Sequence, residues 1–146
     1  MRMEAKAQIP STQEVINGFF QSAAQLDAEA AASFFDEEPD YYIAKSPFMP
    51  WTGKRNKRPE VAVALKQLFD AHVPGEESFT IDHLFFDGQE AALFAVASRV
   101  VKDTRKKYSA KICMRFTVVD GLITRFLILE DSREIEKAFN KDTGYC

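Results

Sequence analysis

Hydrophobic positions along this chain fall into two regimes, recurring at three- and four-residue spacing as far as Gly75 and running in strand-like blocks from Phe79 to Glu130. Ser11 and Glu14 have the spacing of a capping box, and Ile16, Phe19, Phe20 and Ala23 follow at helical intervals, which predicts a first helix from about Thr12 to Leu26. Asp27 suits the cap of a second helix with the stripe Ala30, Ala31, Phe34 and Phe35, ended by Asp36, Glu37, Glu38 and Pro39. Tyr41 to Ile43 reads as a short extended piece. The segment KSPFMPWTGKRNKR, with two prolines and a glycine, reads as an irregular rim or lid. Pro59 fits the first position of a third helix, whose face Val61, Ala64, Leu65, Leu68, Phe69 and His72 runs up to Pro74 and Gly75.

Four strand-like runs then follow, FTIDHLFF, AALFAVASRVV, YSAKICMRFTVV and LITRFLILE. Turn signals at Asp87-Gly88, around Asp103 to Lys107, and at Asp120-Gly121 predict antiparallel meander pairing. The last run is apolar on both alternating faces, Phe126 and Ile128 on one and Leu127 and Leu129 on the other, so the sheet is expected to be covered on both sides. Helices would cover one side and a partner subunit the other. Asp131 and Glu134 again have capping-box spacing, placing a final helix from near Ser132 to Phe139 before the polar tail KDTGYC. The order of elements predicts an α+β fold in which N-terminal helices pack on a strongly curved, mostly antiparallel sheet and enclose a ligand. One domain over residues 1–146, with a core of about 12–140, fits the length.

Composition narrows the function classes. A formal charge of -3 supplies no basic footprint for nucleic acid. No run approaches the about 18 apolar residues of a membrane span, and the first residues lack a signal-peptide core, so a soluble, cytoplasmic protein is expected. Two histidines far apart and two isolated cysteines, Cys113 and Cys146, form no metal-ligand pattern, and no glycine-rich nucleotide motif occurs, so neither metal nor cofactor is expected. Thirteen Phe in 146 residues exceed what one packing layer needs, and an aromatic-lined cavity or an apolar dimer face would absorb the surplus.

The helix hairpin ending FFDEEPD, the WTGK segment leading into an apolar helix, and the closing DGLITRFLILEDS resemble the superfamily of nuclear transport factor 2, ketosteroid isomerase, scytalone dehydratase and the SnoaL-like polyketide cyclases, over roughly Gln13 to Asn140. That resemblance implies a conical cavity between helices and concave sheet, and a homodimer through the outer sheet face. It also aligns Phe19, Ser46 and Ile112 with the isomerase's Tyr, basic Asp and protonated Asp. None of the three retains the chemistry that the isomerase needs, so ketosteroid isomerase activity is rejected.

By the same resemblance Phe126, Ile128 and Glu130 face the cavity, as do Ala95, Ala97 and Arg99, while TIDHLFFDG aligns His83 with a catalytic histidine of the dehydratase. A carboxylate on an apolar concave face is desolvated and its pKa raised, which makes Glu130 the leading acid/base candidate, with Arg99 as its partner or as an anion receptor. His83 is the second proton-transfer candidate. Phe19, Trp51, Ile112, Phe126 and Ile128 are the expected ligand-contacting residues. For each there is a packing alternative: a satisfied His83, a rim ion pair between Arg99 and Glu130, a core-plugging Trp51, and His72 as part of a helix stripe. Lys54, Arg55, Lys57 and Arg58 read as a solvated turn.

Two functions follow. One is a SnoaL-like, cofactor-independent isomerase, cyclase or dehydratase acting on a small apolar or aromatic compound. The other is a non-catalytic carrier of small molecules or a dimeric interaction module, with the small β subunit of a ring-hydroxylating dioxygenase as a third use of the fold.

Overall fold

The computed structural model describes residues 8–141. Four helices and six strands follow in the order α1 (Thr12–Ala24), α2 (Ala28–Ala32), β1 (Phe35–Ile43), β2 (Gly53–Arg55), α3 (Arg58–Asp70), β3 (Ser78–Asp87), β4 (Glu90–Val100), β5 (Lys107–Val119), β6 (Leu122–Glu130) and α4 (Ser132–Phe139). The strands form one curved sheet ordered β2-β1-β6-β5-β4-β3. Every neighbouring pair is antiparallel except β1 and β6, which run parallel. Among the described residues no helix is long and apolar enough to cross a membrane. Cys146 and the rest of the tail from residue 142 lie outside the described residues.

The caps form as the spacing predicts. Ser11 N donates to Glu14 Oε1 at 2.8 Å while Glu14 N donates to Ser11 Oγ at 3.1 Å, and Asp27 accepts from Ala30 N. The meander turns also lie where expected: Asp120 and Gly121, both at positive φ, join Val119 to Leu122 in a two-residue hairpin.

Two expectations need correction. The second helix stops at Ala32, and the Phe34–Phe35 pair leaves it to begin the sheet: Ile123 N donates to Phe34 O at 2.8 Å and Phe35 pairs with Ile123. FDEEPD is therefore strand rather than terminator. Pro39, which has no backbone donor, lies where the β1–β6 register shifts between Phe35 and Asp40 and no ladder bond is needed from it. Helix α1 ends at Ala24, two residues before the expected Leu26, which itself takes a left-handed φ of 59°.

The segment over residues 45–58, expected as a rim or lid, packs into the structure as part of the cavity wall. Met49, Trp51 and Thr52 are buried, and Gly53–Arg55 adds to the sheet edge beside β1. Thr52 Oγ1 accepts from Ser46 N at 2.9 Å and donates to Met49 O at 2.7 Å, and Ser46 Oγ donates to Glu136 Oε2 at 2.6 Å. The basic run is consumed locally: Arg55 donates to Pro50 O and Thr52 O, Lys57 pairs with Glu38 at 2.7 Å, and Arg58 Nε donates to Phe35 O at 2.9 Å.

Much of the phenylalanine load forms one cluster between α1 and the inner face of the sheet. Phe126 packs edge-on against Phe19, Phe35 and Phe116, with centroids 5.2 to 5.5 Å apart, and stacks on Tyr41 at 5.1 Å and 14°. Phe116, fully buried, also meets Phe19 and Phe20. Helix α1 comes close to the chain that follows α2, and a Cβ on Gly18 would sit 2.5 Å from the Phe34 ring. Phe116→Ala is expected to destabilise the fold by about 3–5 kcal/mol in urea denaturation.

Candidate functional site

Between the helices and the concave face of the sheet lies a cavity of about 810 Å³, inside the range of roughly 300–1,000 Å³ typical of small-ligand sites. Strand register decides what lines it. Side chains paired across neighbouring strands share a face, and the pairs Ile112–Glu130, Met114–Ile128 and Phe116–Phe126 set one face of β5 and β6 toward the interior. On β4, Arg99 pairs with Tyr108 and Ala95 with Ile112, so Arg99 belongs to the same face. Arg99, Ile112, Phe126, Ile128 and Glu130 all line the cavity, together with Phe19 from α1 and Trp51 from the packed loop.

His83 is separated from them. The β3–β4 register shifts between Ile81, opposite Ala95, and His83, opposite Phe94. The extra residue, Asp82, reverses the alternation, leaving Ile81 on the cavity wall and His83 exposed on the convex face, stacked on Phe85 at 5.9 Å. No proton transfer inside the cavity can pass through it.

The histidine on the cavity wall is His72, just beyond the end of α3. It is tied to the sheet by an isolated bridge to Val101 and by Val73 N donating to Val100 O at 2.9 Å. His72 Nδ1 lies 2.7 Å from Leu68 O, an acceptor only, so Nδ1 carries the proton. Nε2, 2.9 Å from the Tyr108 hydroxyl, therefore accepts from it. Burial pushes the His72 pKa down to about 4, with Arg99 and Lys102 acting in the same direction and the bond to Leu68 opposing. A neutral imidazole with both nitrogens engaged is a positioning group. Sequence reading passed over the pair because the partners are 36 residues apart and His72 continues a helix stripe, while Tyr108 opens a strand with no local signal.

Glu130 is the reverse case. Burial raises its pKa to about 7, against the opposing pull of Arg99. Among the described residues neither side chain takes part in an ion pair closer than 4 Å, so the alternative, a rim ion pair between them, does not form. Arg99 also lies beside the Tyr108 hydroxyl, whose pKa burial raises to about 12 despite that charge. Glu130 acts at a distance on Tyr41, a buried phenol whose hydroxyl has no hydrogen-bond partner among the described residues and whose pKa burial raises. The site is thus a cation and a titrating carboxyl on an aromatic wall, backed by a histidine–tyrosine pair.

Residues 16–126 match the family model of the SnoaL-like domain. The chain belongs to that family. Curated protein sequences give no match. Among solved structures, this SnoaL-like chain resembles an NTF2-like protein from Burkholderia thailandensis, with a TM-score of 0.75 at 14% identity over 90% of this chain and 98% of that one. It also resembles an epoxide hydrolase of the LEH-like kind from M. tuberculosis (TM-score 0.65, 15% identity, 88% of each chain). TerC co-crystallised with polyporic acid is similar as well (TM-score 0.75, 12% identity, 88% of this chain and 97% of that one). At these identities the likeness is one of fold, the NTF2-like cone.

A Glu130 pKa raised from 4.5 to about 7 makes its contribution to stability fully present below about pH 4.5 and lost as the pH rises through 7. Glu130→Gln should therefore stabilise the protein by roughly 2–3 kcal/mol at about pH 8.5, the gain vanishing toward about pH 4.5, in urea titrations across that range.

Proposed function

We propose that this SnoaL-like protein is a cofactor-independent acid–base enzyme of the isomerase, cyclase or dehydratase type, acting on a small, largely apolar or aromatic compound held in the cone. The reading rests on Glu130, a carboxyl buried on an apolar wall and titrating near neutral pH beside Arg99. Near pH 7 such a group exists in both forms and can deliver or remove a proton within one turnover. Arg99, permanently charged, stabilises negative charge that develops on the substrate oxygen. Phe19, Trp51, Ile112, Phe126 and Ile128 shape the surface against which the apolar body lies, and His72 with Tyr108 holds the charged end of the wall in place. The similar folds of the epoxide hydrolase and of TerC with polyporic acid support a small organic ligand.

A non-catalytic carrier uses the same cavity without the proton step. A filled interior, which a pure interaction module would favour, fits poorly with a cavity of about 810 Å³.

The second face of the sheet supports a homodimer. Phe94 and Leu129 are 49% and 50% exposed. They flank Cys113 in one cross-strand row, continued by His83 at the β3 edge, and Phe85 adds a ring beside Phe94. So contiguous an apolar strip on a convex sheet is a surface for a second copy of the chain.

Incubating the purified protein with a panel of small polycyclic and aromatic ketones and alcohols, followed by mass spectrometry, tests the catalytic reading. Turnover should fall by about 10²-fold or more in Glu130→Gln while the fold stays intact. Unaltered turnover in that variant removes the role of Glu130, and binding without turnover in the unmodified protein favours the carrier. In sedimentation equilibrium, Phe94→Glu should convert a dimer to a monomer; an unmodified protein that is already monomeric overturns the proposed interface.

A further inference from the structure

Polar groups on the cavity wall are unevenly charged. Asn17, Gln21 and Ser78 are neutral, Glu77 is exposed and its carboxylate already accepts from Gly75 N at 3.0 Å, and His72 is neutral with both nitrogens in use. Among the described lining residues Arg99 is the one cation. A guanidinium does not lose its proton, so the charge is fixed at every pH the fold survives. A partly buried charge lowers its free energy by finding a counter-charge, yet among the described residues no carboxylate lies within 4 Å of Arg99. Its neighbour Glu130, burdened by desolvation, is protonated below about pH 7. Below that pH the interior therefore presents one uncompensated positive charge and one carboxylic acid O–H, with aromatic and aliphatic surface around them.

We infer that the ligand is a mono-anionic apolar acid, whose charged group pairs with Arg99 and accepts a hydrogen bond from Glu130 in its acid form, while its apolar body lies along Phe19, Phe20, Phe79 and Met114. This rests on the reading that the cavity holds a small apolar molecule, and it adds the charge that molecule carries. A dianion is disfavoured, because Lys102, the other cation felt by His72, is exposed and absent from the wall. A neutral ligand of the same shape leaves the Arg99 charge without a counter-ion, its contact with the Tyr108 hydroxyl being to a neutral group.

Binding is then coupled to a proton. The groups that face Glu130 are Arg99 from β4, Tyr108 from β5 and Tyr41 from β1, and the two phenols stay neutral to well above pH 9. An incoming anion raises the proton affinity of Glu130, so the complex takes up a proton near neutrality and weakens once Glu130 ionises.

Two fluorescent probes that differ in the charge test this: 1-anilinonaphthalene-8-sulfonate, and the uncharged N-phenyl-1-naphthylamine with the same rings. At about pH 6 the sulfonate is expected to bind about tenfold or more tighter than the amine, and to lose most of that preference by about pH 8.5. Arg99→Gln should abolish the preference while leaving the affinity of the amine unchanged, and Arg99→Lys should keep part of it. Glu130→Gln should retain sulfonate binding and remove its pH dependence. Equal binding of both probes, or a sulfonate preference that survives Arg99→Gln, overturns the anionic class and leaves the apolar cavity standing. Failure of both probes to bind overturns the cavity reading itself, and the anionic class with it.

Discussion

Removing the Glu130 carboxyl from water, at the point where the last strand leaves the apolar concave wall, is the constraint on which the chemistry of this SnoaL-like fold depends. Desolvation alone would hold the group further toward its protonated form. Arg99 alone, in water, would leave an ordinary carboxylate. The two together, separated by more than an ion-pair distance, hold the group near neutrality. Such a balance needs both the aromatic cluster that excludes water and the strand register that turns Arg99 and Glu130 to the same face. Phe126 serves both needs, since it anchors the cluster and precedes Glu130 by four residues on the same side of β6.

The backbone of that arrangement was legible because it is written in local rules. Capping boxes, the Asp-Gly turns and the switch from helical to strand-like spacing place α1, α3, α4 and the four-strand meander within a few residues. Where the sequence misled, a longer-range interaction had overruled a local one. FDEEPD carries the marks of a helix terminator, but the parallel partner that makes it a strand, β6, lies some eighty residues on, roughly where no local pattern reaches. KSPFMPWTGKRNKR has the composition of a mobile rim, yet Trp51 and Met49 are apolar enough to be drawn inside, and Ser46, Thr52 and Arg55 satisfy the irregular backbone that this burial leaves.

At the site, the same distinction separates the two histidines. His83 sits in a strand whose simple alternation would point it inward, and a single bulge at Asp82 turns it outward; a bulge of this kind leaves no composition signal. His72 looks like the end of a helix stripe and is one. Its second identity, as acceptor for Tyr108, exists only because α3 ends against the far end of β4. Glu130 and Arg99 were readable because β4 and β6 keep unbroken alternation through the residues that matter, so one correct phase on each strand fixes all their inward positions.

Energetically, the wall is not what stability would select. Glu130 ionises at a higher pH than it would in water, so above neutrality it weakens the fold, and a glutamine of nearly the same volume would remove that penalty. Among the described residues, the partly buried Arg99 has no close carboxylate, and the Tyr41 hydroxyl is buried without a partner. Glu130, Arg99 and Tyr41 lie on or behind one wall of the cavity, while Arg115 Nε, likewise buried without a partner among the described residues, belongs to the opposite face of the sheet. The exposed ion pairs elsewhere, Lys57–Glu38 and Lys66–Asp70 among them, are ordinary surface contacts. A titrating carboxyl and a fixed cation without a close counter-charge, placed where a ligand can reach them, are what the proposed acid–base reading draws on, since a wall selected for stability alone would carry neither.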